Sequence, residues 1–400
     1  MARAARAKIN ASAMTLGIYI QVPFCQTKCT YCNFHTGVVS AEKYAPYAAA
    51  VQTEISHHRK FYADAGISSP KFENEVVDTV YFGGGTPSLL DPSHLHGILE
   101  AIRDSFACEW KEVTLEADPE TITSEKAAAW AAAGINRVSF GVQSFNDLEL
   151  KSSGRMHRRE DVYRAAPILR AAGIRNLSFD LIVGLPHQTP QSWRNSLEEL
   201  IALRPEHVSI YMLEVDEGSR LGRELISLGT KYSAPAVPSD DQMADSYNLA
   251  RQLLSSAGYE HYEISNWAQP GHASRHNLKY WRREPYLGFG AGAHSFHGAT
   301  RWANAHDSAQ YVAAIQSSKL PAEQIEAVST QQAHEEEMFL GLRQLAGINL
   351  DGFDPSYAAR LNEKLLSLES AGLVERQGSI VRLAPEKLSI SNEVFVELLG

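Results

Sequence analysis

Three of the four cysteines in this chain lie close together near its start. Cys25, Cys29 and Cys32 have the spacing C-x3-C-x2-C in "PFCQTKCTYC", directly after the apolar segment "LGIYIQV". The fourth, Cys108, lies far downstream in "DSFACEW". Thiolates are ligands for soft metal centres. The spacing therefore indicates a metal site with three cysteine ligands.

The number of ligands separates the alternatives for this site. The start of the chain shows no export signal, which predicts a reducing cytosol and disfavours disulfides. A structural zinc site usually takes four protein ligands in separated pairs. A cubane iron–sulfur cluster has four irons and usually four thiolates, so three thiolates leave one iron open to a cofactor or substrate. The motif favours such a redox cluster over zinc or a disulfide framework.

The elements that must position these cysteines follow a regular order. Short β-rich segments alternate with amphipathic helical segments through residues 16–300, in six βα units. This order predicts an α/β fold with a parallel sheet, curled into a partial (β/α)6 TIM-like barrel. In such barrels functional residues gather at the carboxyl ends of the strands. The stretches "PFCQTKC", "GGGTP", "EADPE", "GVQSF", "DLIVGLP" and "LEVDEGS" all occupy such ends.

Glycines and polar side chains at these strand ends suit a small polar ligand. "YFGGGTP" is neither G-x-G-x-x-G nor a P-loop, but its glycines permit close backbone approach to a ligand. Polar side chains at the neighbouring ends offer groups that suit a ribose, a carboxylate and an ammonium: Glu116, Gln143, Arg155 and Asp180. The alternatives are a structural turn for the glycines and ordinary surface or paired carboxylates for the acids.

Composition and the last 90 residues limit the remaining function classes. The net charge of −10 argues against a general nucleic-acid binder. The sequence contains no apolar run of 18 residues, so it predicts no membrane span.

The last 90 residues predict a winged-helix-like α+β arrangement. It consists of two helices, a hairpin that turns at Gly378 and Ser379, and a final helix. Its second helix carries no net positive charge, so a module that covers the barrel is favoured over DNA binding. The predicted domains are a disordered start at 1–15, a barrel with a porphyrin-related extension at 16–310, and the C-terminal domain at 311–400.

The motifs together resemble a known superfamily. "PFCQTKCTYCNF", "GGGTP", "LEADPE", "FGVQSF", "GRMH", "DLIVGLPHQT" and "HNLKYW" are similar to radical S-adenosylmethionine (SAM) proteins, from about Tyr19 to the C-terminus. The resemblance implies a [4Fe–4S] cluster on Cys25, Cys29 and Cys32, with SAM on the fourth iron and reductive cleavage to a 5′-deoxyadenosyl radical. It implies these SAM contacts: Tyr19, Tyr31, Gly84, Gly85, Thr86, Glu116, Gln143, Arg155 and Asp180.

Within the superfamily, the chain resembles the branch that holds oxygen-independent coproporphyrinogen III oxidase and the heme chaperones of the HemW group. The oxidase type has a fourth cysteine where this chain has Phe34, and a longer segment than the 24 residues that precede Cys25 here. "HNLKYW" resembles the H-N-x-x-Y-W motif associated with heme in the chaperone group, which makes four residues heme-binding candidates: His276, Asn277, Tyr280 and Trp281. These departures favour a heme chaperone. The alternative is an oxidase that converts coproporphyrinogen III to protoporphyrinogen IX by radical decarboxylation.

Further expectations follow from the same resemblance. They include heme as cargo, a hemoprotein recipient at the membrane, flavodoxin or ferredoxin as electron donor, no nucleic-acid partner, and a monomer or homodimer. The expected location is cytoplasmic, or peripheral at the membrane during heme delivery, and turnover of SAM is left open. Tyr262, Trp267 and His294 are further candidates to line a heme pocket. Gln21 replaces a histidine that the family commonly has before the first cysteine, and glutamine cannot titrate near neutral pH.

Overall fold

Six parallel strands form the centre of the molecule. The structure, a computed structural model, describes residues 15–67 and 75–399. The strands pair in chain order and are β1 (Thr15–Val22), β2 (Val76–Gly84), β3 (Ala107–Ala117), β4 (Arg137–Gln143), β5 (Asn176–Val183) and β6 (His207–Met212). Their apolar side chains are almost entirely buried, as expected for a parallel sheet. The predicted start of the chain lies outside the described residues except for Thr15, which begins β1.

One or two helices follow each parallel strand, as the alternating sequence pattern predicts. They are α1 (Tyr44–Asp64), α2 (Pro92–Ser105), α3 (Ser124–Ala133), α4 (Asp147–Ser152), α5 (Arg159–Ala171), α6 (Pro190–Leu203), α7 (Arg220–Ile226) and α8 (Asp240–Ser256). Their limits follow from local chemistry: Thr189 caps α6 by accepting from the backbone N–H of Ser192, and Gly134 ends α3 with φ +104°.

Further strands extend the sheet at both edges. They are β7 (Glu260–Glu263), β8 (Asn266–Ala268), β9 (Tyr286–Phe289), β10 (His294–His297), β11 (Thr300–Asn304) and β12 (Ala322–Ala327), with helices α9 (Arg275–Trp281) and α10 (Ser308–Gln316) between them. In the described part of the chain, the order is β12-β11-β10-β9-β1-β2-β3-β4-β5-β6-β8-β7. The sheet is therefore an open, partial barrel, and the predicted fold is confirmed. No described helix is long and apolar enough to cross a membrane.

The C-terminal part has the predicted order of helices and hairpin. It contains α11 (Thr330–Leu342), β13 (Ile348–Asn349), α12 (Pro355–Ser370), β14 (Val374–Gln377), β15 (Ile380–Leu383) and α13 (Ser391–Leu399), with a small sheet ordered β13-β15-β14. Gly378 adopts φ +62° in the β14–β15 turn. The domain boundary at residue 310 stays a prediction. Because β12 pairs with β11 in the large sheet, the topology favours a boundary near residue 328.

Candidate functional site

A cavity of about 1070 Å³ lies at the carboxyl ends of the parallel strands. The three cysteines of the motif all line it. Eight of the nine residues that the resemblance assigns to SAM also line it, namely Tyr31, Gly84, Gly85, Thr86, Glu116, Gln143, Arg155 and Asp180. The fold thus brings residues from five strand ends to one cavity. Their assignment as cluster and SAM ligands stays a prediction that this placement supports.

The cysteine loop is attached to the barrel by backbone hydrogen bonds. The N–H of Cys25 donates to the carbonyl of Gly37 (3.0 Å), and the N–H of Thr30 donates to the carbonyl of Ser153 (3.0 Å). None of the three thiols is in a disulfide. Burial raises the pKa of the Cys25 and Cys32 thiols, so ligation to a metal must release their protons.

The three thiols of the described cysteine loop are not arranged around a single metal position. Among the described residues, no three His, Cys, Asp or Glu side chains are arranged to hold one metal ion. A cluster instead accepts thiolates on different irons. The backbone that follows β2 packs closely against the cysteine loop, because a Cβ on Gly85 would lie 2.4 Å from the carbonyl oxygen of Phe24 and 3.0 Å from Cys25 Sγ. A side chain there would displace the cysteine loop.

Two partly buried carboxyl groups face the cavity. Glu116 accepts from the Tyr81 hydroxyl (2.9 Å) and from the backbone N–H of Gly84 (3.0 Å). Burial raises the pKa of Glu116 to about 7. Asp180 accepts from the Ser139 hydroxyl at 3.1 Å, and burial raises its pKa as well. These acceptors can receive hydroxyl or ammonium donors from a ligand in the cavity.

Gln143 has the most unusual backbone in the cavity wall. It ends β4 with φ +62°, which is rare for a residue other than glycine. Its side-chain Oε1 is buried and has no hydrogen-bond partner in the described part of the chain. An unpaired buried acceptor is costly. A polar ligand with a donor group is therefore favoured at this position, which fits SAM.

Arg155 links the cysteine loop to a carboxylate that sequence reasoning did not single out. Its Nη1 lies 3.7 Å from Cys29 Sγ, and its Nη2 forms an ion pair with Asp118 and donates to the carbonyl of Gly141 (2.8 Å). The Thr86 hydroxyl donates to the other oxygen of Asp118 (3.2 Å). The stretch "EADPE" had marked this strand end, but only the fold reveals that Asp118 orients Arg155.

Tyr19 is the one predicted SAM residue outside the cavity wall. Its hydroxyl donates to Gln21 Oε1 (2.7 Å), and its ring stacks on Tyr81 at 6.0 Å between centroids. The Gln21 side chain lies 2.5 Å from where a Cβ on Gly84 would be. The Gln21 side chain therefore packs against Gly84, and Tyr19 holds Gln21 in place through this hydrogen bond. The SAM contact of Tyr19 stays a prediction that its position does not favour.

The predicted heme motif lies on α9 and lines no part of this cavity. His276 is fully buried, with Nδ1 2.9 Å from the Thr79 hydroxyl and Nε2 2.8 Å from the Tyr280 hydroxyl. Burial lowers its pKa to about 3. Trp281 packs beneath the guanidinium of Arg343, 4.4 Å from the ring centroid. Since both ring nitrogens of His276 are engaged, this arrangement does not favour iron ligation, and the heme roles of His276, Asn277, Tyr280 and Trp281 stay predictions.

The other aromatic candidates are divided between core and surface. The Tyr262 hydroxyl lies 2.7 Å from Nε2 of His207, and Trp267 is buried and stacks on His261 at 3.9 Å. These contacts are part of the core. His294, in contrast, is exposed at the start of β10.

The C-terminal domain contributes residues to the cavity that the sequence did not reveal. Arg343, Asn392 and Glu393 line it. Arg343 also pairs with buried Glu263 of β7 at 3.5 Å, and its carbonyl accepts from the N–H of Ile264 (3.0 Å). The predicted covering of the barrel by this domain is consistent with these contacts.

Comparison with known proteins identifies the family. Residues 19–200 match the radical SAM superfamily, and residues 328–386 match the HemN C-terminal domain. The heme chaperone HemW of Bacillus subtilis (strain 168) is 34% identical over 388 residues, which cover 96% of this chain and 98% of that protein. The chain belongs to the HemW family of radical SAM proteins. HemW of Escherichia coli (strain K12) is 35% identical over 280 residues, covering 70% of this chain and 69% of that protein.

A solved structure agrees with this family at the level of the fold. Coproporphyrinogen III oxidase (HemN) from Escherichia coli superposes with a TM-score of 0.80 at 20% identity, covering 98% of this chain and 91% of that one. The predicted superfamily, branch and fold are confirmed. Membership of the radical SAM superfamily implies the [4Fe–4S] cluster and SAM as cofactors, for which the cavity has suitable residues.

Proposed function

We propose that this protein is a heme chaperone that binds a [4Fe–4S] cluster and SAM in the barrel cavity and delivers heme to hemoproteins. The observation that carries the proposal is the near-full-length match to a heme chaperone HemW. Phe34 supports it. It stands two positions after the third cysteine, where the oxidase type has another cysteine, and its side chain is 63% exposed beside the cavity.

The residues of the cysteine loop and Arg155 form the part of the cavity that holds the cluster. Cys25, Cys29 and Cys32 hold the cluster through three thiolates. When bound and reduced, cluster and SAM supply an electron and a source of a 5′-deoxyadenosyl radical. Arg155 places its guanidinium against Cys29 and orients this side of the cysteine loop.

The remaining groups bind and orient SAM. The backbone of Gly84 and Gly85 lines the cavity, and the lack of side chains lets it pack against Gln21 and the cysteine loop. Glu116 and Asp180 accept from hydroxyl or ammonium donors, and Gln143 presents its unpaired Oε1. Arg343, Asn392 and Glu393 of the C-terminal domain complete the cavity lining.

The partners and location complete the proposal. The recipient is a hemoprotein at the membrane, which the chaperone reaches from the cytoplasm by peripheral association. The reductant is a flavodoxin or ferredoxin. The protein acts as a monomer or homodimer.

A strictly anaerobic assay distinguishes this function from the oxidase alternative. Cluster-reconstituted protein is incubated with reductant, SAM and coproporphyrinogen III, and tetrapyrroles and 5′-deoxyadenosine are quantified from the same vial. We expect no protoporphyrin product, whereas heme added to a parallel sample should bind and pass to an apo-hemoprotein. Stoichiometric protoporphyrin formation would instead establish the oxidase. A Cys29→Ser sample without cluster shows which signals depend on the cluster.

A further inference from the structure

Two histidines from separate segments contact each other at the surface beside the cysteine loop, and a third lies near them. The rings of His35 and His306 are 4.2 Å apart between centroids, at an interplanar angle of 36°. His35 follows the cysteine loop, His306 follows β11, and His294 begins β10. The start of β10 lies beside the segment that follows β11, since His294 pairs with Ala303 and the N–H of Gly292 donates to the carbonyl of Ala305 (2.9 Å). A Cβ on Gly292 would lie 3.0 Å from His306 Nδ1, so His294 and His306 belong to the same surface region. All three side chains are exposed.

Exposed apolar side chains flank these histidines. Phe34 is 63% exposed and Val38 is 60% exposed, on either side of His35 in the same loop. The Lys28 ammonium donates to the carbonyl of Phe34 (3.3 Å), and Phe34 and Lys28 both line the cavity. Clustered exposed apolar side chains indicate a binding surface more often than isolated ones do. This patch combines imidazoles, apolar cover and one cation.

The chemistry of the patch fits heme rather than a free metal ion. A chelated ion needs three or more converging ligands, and no such group occurs among the described His, Cys, Asp and Glu residues. Heme iron already has four porphyrin ligands and takes only one or two imidazoles. Phe34 and Val38 can cover an apolar macrocycle, and Lys28 can pair with a propionate.

We infer that the patch formed by His35, His294, His306, Phe34 and Val38 binds heme, with an imidazole of His35 or His306 as axial ligand to the iron. The inference rests on the proposed function, since heme must be the cargo, and it moves the heme site away from His276. It places the cargo at the mouth of the cavity, three residues along the chain from Cys32.

The test is a titration of the full-length protein with hemin, followed in the Soret band under anaerobic conditions. We expect His35→Ala/His306→Ala to weaken binding by more than about tenfold and to lose the imidazole-ligated spectrum. His96→Ala, which removes an exposed histidine from α2, should leave binding unchanged. Metal-free protoporphyrin IX should lose less affinity than hemin in the double variant, because it has no iron to ligate.

The outcomes distinguish a failure of this heme site from a failure of the proposed chaperone function. If the unsubstituted protein binds no hemin, the chaperone function itself fails. If it binds hemin and the double variant binds equally well, only this site is overturned. Loss of binding in folded His276→Ala, with binding retained in the double variant, would overturn the patch in favour of α9. Circular dichroism of each variant verifies that it is folded.

Discussion

Arg155 lies against Cys29, with its Nη1 3.7 Å from the thiol sulfur. The two residues are 126 positions apart in the chain, yet the guanidinium is the cation that contacts this cysteine. Asp118 holds the other side of the guanidinium. The ion pair thus packs directly against a predicted cluster ligand. The pair Arg155–Asp118 therefore belongs to the supporting structure of the proposed cluster site.

Asp118→Asn should destabilise the protein strongly. The substitution leaves the Arg155 guanidinium, whose side chain is 9% exposed, without its anionic partner. Loss of one member of a buried pair costs about 3–5 kcal/mol, and the 20% exposure of Asp118 suggests the lower end of that range. Denaturant unfolding of the cluster-free protein measures the loss.

Asp64→Asn is the matched control for that measurement. Asp64 pairs with Lys60 on the surface, where the two side chains are 58% and 61% exposed, and exposed pairs contribute about 1 kcal/mol or less. An equally small loss for Asp118→Asn would show that the Arg155–Asp118 pair does not stabilise the site.

Substitution of the three motif cysteines should remove the cluster, whereas substitution of Cys108 should not. Cys25→Ser, Cys29→Ser and Cys32→Ser are each expected to lose most of the iron and acid-labile sulfide, because each removes one cluster ligand. Cys108→Ser should retain the iron content of the unsubstituted protein, since Cys108 is in β3 and lines no part of the cavity. Iron and sulfide analysis after anaerobic reconstitution measures this, and full loading of any of the first three would contradict its role as a ligand.

Gly84→Ala should weaken SAM binding and lower stability. Gly84 has φ +113°, and a Cβ there would lie 2.5 Å from Gln21 Nε2. The backbone strain costs about 1–2 kcal/mol. The collision adds a smaller cost, because the Gln21 amide is the end of a flexible side chain that can move away at the loss of its hydrogen bond from Tyr19. Gly173 is the control, because it has φ +95° and open space around its Cβ position.

The comparison of the two glycines isolates the effect of the collision. Equilibrium dialysis with SAM and denaturant unfolding should both show a larger loss for Gly84→Ala than for Gly173→Ala. In the Gly84→Ala background, Gln21→Ala should recover part of the stability by removing the obstructing side chain. Equal losses at the two glycines, with no recovery, would refute the contact.

The cysteine site and the strand ends could be predicted because their signals are local. The spacing of Cys25, Cys29 and Cys32 is contained in one loop, and the periodicity of each βα unit places Glu116 and Asp180 at one edge of the sheet. The side-chain partners of these residues could not be predicted. The contact of Asp118 with Arg155 spans 37 positions and depends on how the strands align.

The α9 motif shows the same limit more clearly. "HNLKYW" contains a histidine and aromatics, which suit a heme site equally well as a core. The decisive contact is with Thr79, 197 positions away on β2, and no local pattern encodes it. The domain boundary is a similar case, since only strand pairing attaches β12 to the large sheet.

The burial of His276 predicts a pH-dependent contribution to stability. At pH 7, His276→Ala should lower the free energy of unfolding by about 2–3 kcal/mol, because it leaves a void and removes the partners of the Thr79 and Tyr280 hydroxyls. Burial depresses the pKa of His276 from 6.5 to about 3 in the folded protein. Between these values the unfolded chain binds one more proton at this position, so its stabilising contribution decreases as the pH falls.

The difference between the unsubstituted protein and His276→Ala should therefore narrow as the pH falls from about 6.5 towards 3. Leu278→Ala on the same helix removes no titrating group, so its difference from the unsubstituted protein should stay constant over that range. Urea unfolding at closely spaced pH values measures both differences. If the loss in free energy of unfolding caused by His276→Ala is as independent of pH as the loss caused by Leu278→Ala, then the imidazole is not held neutral by burial. In that case the histidine would be accessible to protons, and its role as a heme ligand would again become the better explanation of the motif.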